Sequence, residues 1–213
     1  MRFSKSLLIT AAAALLPLIS QAAPITPSPT LSVAGLTFNN FTCSLSKGGV
    51  LADPGHCSQI DVSTITQPAN GLQISSGFVA ALGSFDDAVL TYNVSSKSGI
   101  GAVGLDFNGT FEGLAVSKVT ESVFSGNNLV GFATVSCDPA ACNRTDDILL
   151  NGDYSNLHIE KDILVAAAFG EADISIVDQT FSTAPEPASF AMLGIGLLGA
   201  GLIRRRAKAV VKA

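Results

Sequence analysis

The chain has 213 residues, 47% of them hydrophobic, with 12 basic and 17 acidic side chains and a formal net charge of −5. All 17 acidic residues fall between Asp53 and Glu186, whereas only Lys47, Lys97, Lys118, Arg144 and Lys161 stand as basic residues away from the two ends, a net −12 for the middle of the chain. A surface this acidic repels phosphate backbones and argues against nucleic acid as a partner.

The first segment, 1–22, begins with Arg2 and Lys5 and continues as an apolar run from Leu7 to Ile19. It closes on Ser20-Gln21-Ala22, with small residues at the −3 and −1 positions of a cleavage site. This is a three-part secretory signal, which implies signal peptidase and the secretion machinery as partners. Cleavage is expected after Ala22 rather than Ala23, because Pro24 would otherwise adjoin the scissile bond. Residues 23–30, with "PITPSPT", read as a Pro-rich linker.

From Leu31 the pattern changes to short apolar or alternating runs separated by turn residues, the signature of strands. "LSVAGLTF" at 31–38 and "LQISSGFVA" at 72–80 come first. In "AVLTYNVSS", Leu90, Tyr92 and Val94 recur with period two. "IGAVGLDF", "LAVSKVTESVF" and "LVGFATVSC" follow, punctuated by Asn108-Gly109 and Gly126-Asn127. "LHIEKDILVAAA" sets Leu157, Ile159, Ile163 and Val165 on one parity, and Ile163, Val165 and Ile174 favour a pleat over a helix. "EADISIVDQTF" closes the body, with Ile174 and Ile176 expected inward and Asp173 and Ser175 outward. About nine strands over residues 31–183 predict an all-β fold, a β-sandwich. With no Trp and two Tyr, Phe, Val, Leu and Ile must supply its core.

Four cysteines, Cys43, Cys57, Cys137 and Cys142, are an even count in an exported chain, which argues for two disulfides. Of the three possible pairings, Cys43–Cys57 and Cys137–Cys142 each close a loop rich in Gly, Pro, Asn or Asp. A metal site joining these thiols with His56 and His158 lacks the two-residue ligand spacing of a zinc ribbon. No metal or cofactor is expected.

The remaining polar motifs carry little chemistry. Asp86-Asp87 and Asp146-Asp147 invite a glycosidase reading, but adjacent residues on a strand point to opposite faces, and such an enzyme needs two carboxyls on one sugar. Asp147, Asn151 and Asp153 fit a calcium loop poorly, with Ile-Leu-Leu intervening. No Gly-x-Ser-x-Gly turn accompanies the two histidines, which are expected at the surface. "SGIGAVG" lies among strands without the helix a dinucleotide fingerprint requires. Sequons stand at Asn40, Asn93, Asn108 and Asn143.

The chain ends on three parts in order. Ala184-Pro185-Glu186-Pro187-Ala188-Ser189 is an extended, non-helical segment. An apolar run follows from Ala188 to Ile203, then Arg204-Arg205-Arg206 with Lys208 and Lys212. As a helix the run spans roughly 24 Å against a hydrocarbon core of roughly 30 Å, so snorkelling arginines and local thinning are needed for a single transmembrane helix. The basic cluster places this end in the cytoplasm, in agreement with export of the middle.

Motif, span and basic stop together resemble the PEP-CTERM sorting signal of Gram-negative bacteria. The resemblance covers residues 184–206, and 207–213 extend it as a basic cytoplasmic tail. It implies recognition of Pro185, Glu186 and Pro187 by an integral-membrane cysteine enzyme, exosortase, with transient membrane anchoring before processing. The expected product is a cell-surface or extracellular protein, structural or adhesive in a biofilm or exopolysaccharide matrix. It is not expected to be an enzyme. A carbohydrate-binding module is the alternative, weakened by the scarcity of Trp and Tyr for stacking on sugar rings; a secreted hydrolase is a third reading.

Overall fold

The computed structural model describes residues 22–49 and 56–183. The signal segment before its last residue, the apolar run, the Pro185-Glu186-Pro187 motif and the Arg204–206 cluster lie outside the described residues. Within them the chain forms β1 (Ala23–Pro24), β2 (Leu31–Val33), β3 (Leu36–Gly48), a 3-10 turn (Cys57–Gln59), β4 (Asp61–Ile65), β5 (Gly71–Ala81), β6 (Ser84–Phe107), β7 (Thr110–Ser125), β8 (Asn128–Cys137), β9 (Cys142–Asn143) and β10 (Thr145–Thr183). Among the described residues no helix is long and apolar enough to cross a membrane.

The strands form one hydrogen-bonded network that curls into the two leaves of a sandwich. One leaf runs β2, β3, the first half of β6, the middle of β10, β7, β8 and β9. The other runs β1, β4, β5, the last part of β10, the second half of β6 and the start of β10. Strands β6 and β10 therefore pass through both leaves, and the start of β7, where residues 110–112 pair with 171–173 of β10, follows β10 round the corner. β7 and β10 bend together where Gly113 faces Gly170. Both have positive φ, and a Cβ on Gly170 would stand 2.0 Å from the Glu112 carbonyl oxygen, so only glycine fits that corner.

The expected alternation holds along most of the sandwich. On β6 Ala88, Leu90, Tyr92 and Val94 are buried, and on β10 so are Leu157, Ile159, Ile163 and Val165. Tyr92 packs on Phe41 at 5.3 Å and Phe38 at 6.3 Å between ring centroids.

Three expectations need correction. "LSVAGLTF" is not one strand but the β2–β3 hairpin, because Ala34 and Gly35 both take positive φ and close a two-residue turn. Residues 23–30 are not merely a linker: Ala23 and Pro24 pair with Val62 and Asp61, and Ile25 is fully buried. Ile176 is only half-buried. The pairing of β10 with β5 slips between Ile174 and Ile176, so Val177, Gln179 and Phe181 take over the inward positions.

Candidate functional site

The cleft of interest opens at one end of the sandwich. There β3 and the start of β6 in one leaf part from β5 in the other, and the 3-10 turn lies beside the gap. It has a volume of about 540 Å³ and is walled by Lys47, Asp86, His56, Gln59, Ser76 and Phe85, among others.

Its central feature follows from strand parity. Asp86 lies on the same face of β6 as Ala88 and Leu90, so its carboxyl points into the space between the leaves and is only 2% exposed. Lys47, its register partner on β3, meets it at 2.9 Å. This ion pair uses Oδ2. The other oxygen, Oδ1, is buried and accepts no hydrogen bond among the described residues. Burial raises the Asp86 pKa above the ordinary carboxylate value; the hydrogen bond and charge of Lys47 oppose that rise without cancelling it.

The other walls come from irregular backbone. Ile174 faces Phe78 and Ile176 faces Ser75, so Ser76 and Gly77 together oppose Ser175 in a bulge that brings both into the cleft wall. Asn108 pins that bulge: its Oδ1 accepts from the backbone N–H groups of Ser175 at 3.1 Å and Ile176 at 2.9 Å. On the facing side the 3-10 turn is tied to β3 by the Cys43–Cys57 disulfide, and Gln59 Oε1 accepts from the His56 backbone N–H at 3.0 Å. Among the described residues no group of three or more His, Cys, Asp or Glu side chains is placed to hold a metal ion.

The structure distributes the other sequence-level candidates widely. Cys137 is bonded to Cys142 at the β8–β9 turn. His56 lies at the cleft, while His158 is on β10 with its Nδ1 2.8 Å from Asn93 Oδ1. Asp86 and Asp87 point to opposite sides of β6, and Asp146 accepts the Thr134 backbone N–H. Two sequon asparagines, Asn93 and Asn108, are held by internal hydrogen bonds; Asn40 and Asn143 are exposed. Ala22 and Ala23, the expected cleavage site, stand at the start of the described body.

Sequence reasoning overlooks one constellation. Lys161 and Glu121 are fully buried and ion-paired across β10 and β7. Lys161 also donates to Gln179 Oε1 at 2.6 Å, and Gln179 Nε2 donates to Glu121 Oε1 at 3.0 Å and to the Gly104 carbonyl at 2.9 Å. The network thus joins the two leaves through the core. Burial lowers the Lys161 pKa, while Glu121 pulls it back up. The signal was available: Lys161 shares parity with Ile159 and Ile163, and Glu121 with Val119 and Val123.

Comparison with known proteins bears on the tail and on the fold separately. Residues 183–206 match the PEP-CTERM protein-sorting motif. No curated protein matches this chain. Among solved structures, the chain is similar to TmCBM61 in complex with β-1,4-galactotriose, at 12% identity over 66% of this chain and 88% of that one, with a TM-score of 0.34. It is similar to the enzymatically active domain of bacteriophage CBA120 tailspike protein 4, at 14% identity over 67% of this chain and 19% of that one, with a TM-score of 0.32. It is also similar to the carbohydrate-binding module CBM6cm-2 of Cellvibrio mixtus lichenase 5A with cellotriose, at 13% identity over 59% and 88%, with a TM-score of 0.24. Likenesses this distant carry no argument about what this chain binds.

Proposed function

We propose that this chain is an exported protein processed by exosortase and then displayed at the cell surface or released, where it serves as a non-catalytic structural or adhesive component of an exopolysaccharide matrix. The observation that carries the reading is the sorting motif at residues 183–206. Three features support it. The motif begins at Thr183, the last residue of β10, so the folded body runs directly into the sorting segment. The N-terminal signal and the C-terminal arginines agree on an exported body. The disulfides suit an oxidising compartment.

On this reading the apolar run holds the chain in the inner membrane of a Gram-negative bacterium until exosortase acts at Pro185-Glu186-Pro187. Replacing those three residues with alanine in the native host tests it. The altered protein accumulates in the membrane fraction at full length, while the unaltered one leaves it. Equal release of both would remove the motif from the account.

A further inference from the structure

We infer that the end cleft is a binding site for a neutral sugar unit of a polysaccharide, gripped by Asp86 and Lys47. An inward-facing position on β6 is filled elsewhere by Ala88, Leu90, Tyr92 and Val94, and an apolar side chain at 86 would satisfy the core without the cost of desolvating a charge. Instead a carboxylate is placed where the leaves part, and only one of its oxygens is paired. Asp86 Oδ1 lies without a donor at the buried base of the cleft, where a hydroxyl entering between the leaves as they part would satisfy it, and the Lys47 ammonium, with one of its three donors spent on Asp86, can donate to a second.

The cleft selects against charge. Lys47 and Asp86 neutralise each other, which leaves neither an anion nor a cation a net partner. The remaining walls mix polar Gln59, His56 and Ser76 with apolar Phe78 and Phe85. Several hydroxyls on an apolar ring skeleton meet both requirements, and about 540 Å³ lies within the range of small-ligand sites.

The position suits display. Thr183 pairs with Ile100 at the corner of β6, whereas Asp86 lies near its start. The strand between Ser84 and Ser96 is about 40 Å long at ordinary strand rise. The cleft therefore opens at the end of the sandwich opposite the point where the chain leaves β10 for the sorting segment.

The test is binding of the exported, disulfide-intact protein to a panel of neutral polysaccharides (β-glucan, galactan, xylan, mannan) and to anionic alginate, by calorimetry and affinity electrophoresis. Saturable binding to at least one neutral polymer and none to alginate is expected. Asp86→Asn weakens it about tenfold or more through loss of a charged hydrogen bond. Because Asp86→Asn also touches the ion pair, Gly77→Leu serves as the second variant. A Cβ at Gly77 meets nothing within 4 Å, so a leucine is accommodated at this lining position without displacing a neighbour, and its bulk at the cleft wall is expected to abolish binding while the thermal midpoint is kept. No neutral polymer bound, alginate bound instead, or neutral binding unchanged in Gly77→Leu would each overturn the inference. None of these outcomes bears on tail processing, which is read by fractionation and mass.

Discussion

Lys161 and Glu121 face each other across β10 and β7 as register partners, both wholly removed from solvent, with Gln179 from the opposite leaf completing their hydrogen bonds. Removing one member leaves the other charge buried and unpaired. Lys161→Met alone is expected to cost about 3–5 kcal/mol, whereas Lys161→Met with Glu121→Leu recovers most of that loss. Urea unfolding midpoints of the two variants check this. A double variant as unstable as the single one would mean that the pair stabilises the sandwich on its own account.

The Cys43–Cys57 bridge closes a 14-residue separation and fastens one wall of the cleft to β3. Replacing both cysteines with alanine is expected to lower stability by about 3 kcal/mol through the freed unfolded chain. Thermal unfolding with and without reductant reads the effect. The double variant and the reduced protein should have lower midpoints than the oxidised wild type, the double variant losing the Cys43–Cys57 share.

Asp87, on the outer face of β6, is pushed up to about 6 by burial first, then by its hydrogen bond to Asp162 and by the charges of Asp162 and Asp86. The folded state thus holds a proton that the unfolded chain, at about 3.8, releases. The contribution is fully present below pH 4 and is lost as pH rises through 6. Asp86 and Asp106 shift in the same direction, mainly by burial. Discounted for solvent screening at a partly exposed group, the Asp87 share is on the order of 1 kcal/mol. Asp87→Asn should therefore flatten the stability profile between pH 4 and 7 and exceed wild type at pH 8, as measured by denaturant midpoints across that range.

Much of the sandwich was legible because its strands alternate cleanly. Leu90, Tyr92 and Val94 announce β6, and Leu157, Ile159, Ile163 and Val165 announce the middle of β10. The bonding of all four cysteines follows from their even number in an exported chain. What sequence conceals is how strands continue. Glycines at 99, 113 and 170 look like ends of runs but are bends within β6, β7 and β10, because a strand can turn a sandwich corner without leaving the hydrogen-bond network. The slip after Ile174 depends on Asn108, 67 positions away from Ser175, and no local pattern signals it. The cleft is concealed for the same reason: Lys47 and Asp86 become neighbours only through the β3–β6 register. Asp86 is recognisable as unusual from parity alone, but its partner is not.

Removal of both chain ends on export is read most directly from the intact mass of the protein recovered from outside the membrane of its own host. The expected mature chain starts at Ala23 and ends near Pro187, with two thiol hydrogens lost per disulfide and any attached group at the new C-terminus. An exported form that retains residues 188–213 would contradict it.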